Sequence, residues 1–194
     1  SGLNMMGANQ CNVLFLSILR NIKKLGMSPA RLFELIEKFT FNYSSICNLP
    51  TNKLEKIYSK CAIELETICT QENNDKQRHK KIQNLFSRFE NELCTLRPEF
   101  DMFKANFKDF VFVPNSNKSR YLVKYLLNKI DKSSTSGENL TNFDVVNIEH
   151  ILPQTPDPAW GVTKQDIKNY LKKVGNLTLL HEKLNSEASN KPLA

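Results

Sequence analysis

Two apolar stripes at helical spacing, separated by a strongly polar run, constrain the first hundred residues more than any other feature. Leu54, Ile57, Tyr58, Cys61, Leu65 and Ile68 recur every three or four positions, and Ile82, Leu85, Phe86, Phe89 and Leu93 do so again after residues 71–81. Such spacing builds one apolar face along a 3.6-residue helix, and each face demands a partner to cover it. Thr51-Asn52 opens the first of these helices, which should run to about Thr70. Arg97-Pro98 closes the second, because the residue before a proline is pushed out of the helical region. Ser28-Pro29 marks an earlier start ahead of Phe33 and Ile36, with serine as the cap and proline at the first helical position.

A further helix around residues 120–130 follows Pro114-Asn115-Ser116-Asn117 and carries apolar positions on one side and bases on the other. It stops at Ser133-Ser134-Thr135-Ser136-Gly137-Glu138-Asn139, a flexible polar connector and the best internal boundary. Beyond it Phe143 to Glu149 is β-rich, residues 164–174 read as a helix, residues 176–180 as a short strand, and residues 182–191 as a closing helix. The expected class is α+β, mainly α. A helical body over residues 1–132 leads through a connector over 133–142 into a strand, strand, helix motif over 143–194, packed as one structural unit with the body.

With 40% hydrophobic residues in 194, the chain can bury a core of that size. The net charge of +7 favours a polyanionic partner without specifying one. Residues 1–120 hold 18 Lys and Arg against 12 Asp and Glu, while residues 121–194 hold nine against eight. The helical body is therefore the expected source of cations for tracking phosphates, and the later segment keeps the carboxylates a divalent cation needs. Lys76, Arg78, Lys80 and Lys81 are candidates for that contact, though a solvated helix end is the simpler reading, and His79 in the same run is expected in solvent. Five cysteines at spacings that form no C-x-x-C pair imply reduced, mostly buried thiols, a cytoplasmic setting and no structural zinc knuckle. No apolar run reaches membrane-spanning length, and no membrane partner is expected.

The chemistry is concentrated after residue 147. Hydrolysing a phosphodiester near neutral pH requires an activated water and stabilisation of charge on the phosphoryl and leaving oxygens. An imidazole with its ordinary pKa near 6.5 suits the first task, and His150 is the candidate general base. One divalent cation, Mg²⁺ with Mn²⁺ as the alternative, suits the second and takes oxygen ligands, for which Glu149 and Asn185 are the candidates. Asn190 is a rival for Asn185, and His181 is a rival metal or phosphate contact. Asn176 is expected to hold the loop and orient His150 by hydrogen bonds. Neighbours in a regular strand face opposite sides, so convergence of Glu149 and His150 requires a bulge or a strand end, which Pro153 favours.

Ile148-Glu149-His150-Ile151-Leu152-Pro153-Gln154, Trp160, Gly175-Asn176-Leu177-Thr178-Leu179-Leu180, Asn185 and Ser189-Asn190-Lys191-Pro192 together resemble the HNH, or ββα-metal, nucleases. More narrowly, the chain resembles the C-terminal nuclease domain of GmrSD-type modification-dependent restriction enzymes and related phage-defence proteins. The resemblance implies a metal-dependent endonuclease that nicks or cleaves DNA, with His150, Asn176 and Asn185 as catalytic residues and Glu149 and Asn185 at the metal. It also implies a partner NTPase or sensor domain, N-terminal in the family and not in this sequence, that chooses the DNA. Two other readings stay open: an inactive helical DNA-binding or interaction module, and an RNase using the same site.

Overall fold

The computed structural model describes residues 9–134 and 146–181. The chain is mainly helical with one small antiparallel sheet, the α+β class expected. Packing divides it into two compact units, one up to Lys108 and one from Asp109 onward. The residues 182–191, read from the sequence as a closing helix, and the residues 135–142 of the connector lie outside the described residues.

In the first unit, α1 (Asn12–Arg20), α2 (Ala30–Thr40), α3 (Asn52–Gln71), α4 (Asp75–Thr95) and the start of α5 (Phe100–Asp109) follow one another. Helix α3 ends one residue beyond the expected Thr70. Every residue of the second stripe, from Ile82 to Leu93, is buried in α4. That helix begins seven residues before its first apolar position, because Asn74 caps it: its side chain accepts from the Gln77 N–H at 3.1 Å. Leu14, Ile18, Ile36, Leu54, Leu65, Ile82 and Leu93 are almost wholly buried and draw on all four of the helices α1 to α4. Burying a side chain of that size contributes roughly 1.5–3 kcal/mol, so this core accounts for the order of the elements around it.

The start signals act somewhat differently from their sequence reading. Pro29 sits at the cap rather than inside α2, and the Ser28 hydroxyl accepts from the Ala30 N–H at 3.3 Å. Thr51 makes no capping bond; its hydroxyl accepts from the Gln10 side chain at 3.1 Å. Helix α2 runs on into a π-helical stretch, Phe41–Ile46, which buries Tyr43 and Ile46. Helix α5 carries Phe103 and Phe107, whose rings stack at 5.6 Å, and Phe103 also meets Phe41 at 6.2 Å.

His79, expected in solvent, is half-buried, with its ring against Gly26. Gly26 has φ +66°, and a Cβ built there would overlap the imidazole. The polar run around it is also engaged. Arg78 donates to the carbonyls of Glu72 and Lys24 and pairs with Asp75, and Lys81 pairs with Glu72 at 2.6 Å. These two cations are therefore committed within the fold.

In the second unit, α6 (Asn117–Ser134) packs against both strands, β1 (Val146–His150) and β2 (Leu177–His181). The sequence grouped this helix with the body, whereas its Val123 joins Phe112 and Leu177 in a buried cluster flanked by Phe110, Leu127 and Ile148. The segment read as a helix over 164–174 forms α7 only over Lys164–Ile167, then continues as turns. Past that point the chain is tied from elsewhere: Lys172 O accepts from the Phe112 N–H at 2.8 Å, and Leu171 O accepts from the Asn176 side chain at 3.3 Å.

Gly26→Ala tests the packing around His79. It combines an unfavourable φ with a steric overlap, and a loss of about 1–3 kcal/mol is expected in chemical denaturation.

Candidate active site

The two strands pair without interruption: Val146 with His181, Asn147 with Leu180, Ile148 with Leu179, Glu149 with Thr178, and His150 with Leu177. Alternation puts Val146, Ile148, His150, Leu177 and Leu179 on one face and Asn147, Glu149, Thr178 and Leu180 on the other. Val146 and Leu177 are buried, so His150 stands at the end of the face that meets the core.

The ladder does not stop at His150. Ile151 N–H donates to Asn176 O at 2.9 Å, and the Asn176 side chain then takes the place of a further strand residue. Its Oδ1 accepts from Leu152 N–H at 2.8 Å, and its Nδ2 donates to Leu152 O at 3.1 Å and to Leu171 O at 3.3 Å. Only 6% of Asn176 is exposed, so all of its amide's bonding goes to backbone. An amide presents a carbonyl acceptor and an N–H donor in a plane, as a peptide group does, and a second N–H that a peptide lacks, which is why asparagine can bond both Leu152 and Leu171. It joins the exit of β1, the turn at Leu171 and the start of β2.

His150 is half-buried, and among the described residues no group hydrogen-bonds its imidazole. Burial holds its pKa below the ordinary value of 6.5, because loss of water penalises the charged form. The ring is thus neutral at neutral pH and able to accept a proton.

Glu149 leaves the ribbon on the opposite face. No bulge interrupts the one-to-one pairing, so of the two routes to convergence considered from the sequence only the strand end is present. Two other acids of residues 146–181 have local work. Asp157 accepts from the Ala159 N–H at 2.8 Å, and Asp166 closes a capping box with Thr163. His181 is exposed at the far end of the ribbon, paired with Val146 and therefore remote in register from His150. Asn185 and Asn190 lie outside the described residues. Among the described residues no group of three or more His, Cys, Asp or Glu forms a metal cluster. A cation such as Mg²⁺, which keeps waters and substrate phosphates and needs one or two carboxylates, remains compatible with Glu149 as its protein oxygen.

Among the described residues Cys11, Cys47, Cys61, Cys69 and Cys94 form no disulfide, and four of them are buried. Burial pushes the Cys61 thiol up to about 12, which keeps it protonated and unreactive.

The model of the family described as GmrSD restriction endonucleases, C-terminal domain, matches residues 97–194, half of the chain, and the chain belongs to that family. It is accordingly a restriction-endonuclease nuclease domain whose substrate is DNA. No curated protein and no solved structure matches the chain. Among the described residues no helix is long and apolar enough to cross a membrane.

The missed signal was not a residue but a connection: the tie from Asn176 to Leu171 cannot be read from spacing. Asn176→Ala would leave Leu152 N–H and O without partners. A loss of about 2–4 kcal/mol is expected in urea denaturation, with faster hydrogen exchange at Leu152. Titration of the His150 ring by NMR in the metal-free protein should give a pKa below 6.5. Because the unfolded chain then binds its proton first, the ring's contribution to stability is intact above the ordinary histidine range and is lost as pH falls through it.

Proposed function

We propose that this domain is an HNH-type, metal-dependent endonuclease with His150 as general base. The observation that supports it best is the strand register. Residues 148–154 and 175–180, more than twenty positions apart, meet so that His150 lies opposite Leu177 and beside the Asn176 clasp.

In this reading the neutral His150 ring takes the proton from the attacking water as the phosphorus–oxygen bond forms. Asn176 acts through the backbone, setting the path of the chain as it leaves His150 at Ile151 and Leu152. Glu149, with Asn185 as its proposed companion and Asn190 as the rival, would hold the divalent cation. When bound, that cation supplies charge stabilisation at the phosphoryl and leaving oxygens. Because the register puts base and carboxylate on opposite faces, their convergence on one phosphodiester relies on the strand end at His150. Five cysteines that form no disulfide among the described residues support a reducing, cytoplasmic setting. Choice of the DNA to be cut is assigned, as the resemblance implies, to a partner NTPase or sensor domain.

The test is nicking of supercoiled plasmid with Mg²⁺ or Mn²⁺. His150→Ala should slow it by about 10²–10⁴-fold with folding preserved by circular dichroism. Chelation should abolish it, and Glu149→Gln should raise the Mg²⁺ concentration required. Equal nicking by His150→Ala would remove the base assignment. Salt-dependent DNA binding without products would favour the inactive module, and preferential digestion of RNA in parallel reactions would favour the RNase.

A further inference from the structure

We propose that Lys164, Lys168 and Lys172, in the segment between the two strands, are the main DNA-phosphate contacts of this protein. The proposal rests on the DNA-nuclease reading above. It moves the phosphate-tracking role from the helical body, where charge counting puts it, to the unit that carries His150.

Three observations carry it. First, six cations of the first unit, Arg20, Arg31, Lys38, Arg78, Lys81 and Arg88, each meet a carboxylate. Those charges already have a partner, and a phosphate would have to compete for them. Second, Lys164, Lys168 and Lys172 are exposed, recur every four residues, and have no carboxylate partner among the described residues. Residues 164–173 contain four lysines and one acid, and that acid, Asp166, is turned back onto Thr163, whose N–H and hydroxyl it accepts at 2.8 and 2.7 Å. Third, the backbone beneath these lysines is held. Leu171 O is bound by Asn176, the same side chain that fixes Leu152 just after His150, and Lys172 O is bound by Phe112. Cations on a fixed turn lose less freedom on meeting a phosphate than cations on a mobile loop.

Phosphate contacts release counterions. Each one contributes about 0.9 to the slope of log affinity against log salt on duplex DNA. The experiment uses full-length protein carrying His150→Ala, so that DNA is bound without being cut, and follows a fluorescein-labelled duplex by anisotropy across a salt series. In that background Lys164→Gln, Lys168→Gln and Lys172→Gln together should lower the slope by roughly 2 to 3 and weaken binding at low salt at least about tenfold. Lys53→Gln, Lys56→Gln and Lys60→Gln, which remove three exposed cations of α3, should leave the slope nearly unchanged. Restoring charge with arginine at 164, 168 and 172 should restore it. An unchanged slope in the first variant, or the loss appearing in the α3 variant, overturns the lysine assignment and leaves the nuclease reading standing. Absence of salt-dependent binding by the parent overturns both.

Discussion

The second unit depends on one side chain imitating a peptide group. Asn176 is almost wholly buried, and its three bonding positions are spent on the backbone of Leu152 and Leu171. Without it, the chain leaving β1 would have two unsatisfied polar groups in a partly buried place, and the turn before β2 would lose its tie. A hydrophobic contact could bury the same area but could not set direction. Hydrogen bonds to both N–H and C=O of one residue fix the plane of that peptide, and with it the path of the chain just beyond His150.

From that anchor the electrostatics follow. His150 shares a face with Val146, Ile148 and Leu177, so the packing that stabilises the ribbon also removes water from the imidazole. The resulting preference for the neutral ring keeps it unprotonated near neutral pH, at the expense of basicity, and costs stability in acid. Glu149 and the exposed Lys164, Lys168 and Lys172 lie outside this apolar face, and the charged chemistry is kept off the core. The first unit is organised by other means: a helical core from α1 to α4, with Arg20, Arg31, Lys38, Arg78, Lys81 and Arg88 tied to neighbouring acids.

Much of this was legible. The stripes from Leu54 and from Ile82 gave α3 and α4 because a long apolar period admits few alternatives. His150 and Asn176 stood out through their neighbours, and both sit at the strand ends where the pairing puts them side by side. Other elements were not legible. Phe100, Phe103 and Phe107 recur at helical spacing in α5, yet the segment is short and mostly exposed, so its signal is weak. Residues 164–174 have helical composition but are helical only over Lys164–Ile167, and the bonds that Leu171 O and Lys172 O accept from Asn176 and Phe112 have no local signature. The polar run around Arg78 resembles a solvated helix end until the carbonyls of Lys24 and Glu72 are seen to bind it.

The sequence by itself determined the helical stripes, the free and mostly buried thiols, and the residue types of a phosphodiesterase motif, because these rest on local period and composition. Only the tertiary structure decided that helix 117–134 belongs with the strands, that Glu149 and His150 face opposite ways, and that Asn176 clasps two distant backbone segments. Such facts depend on pairing register and on hydrogen bonds between residues far apart in the chain, and neither has a local signature.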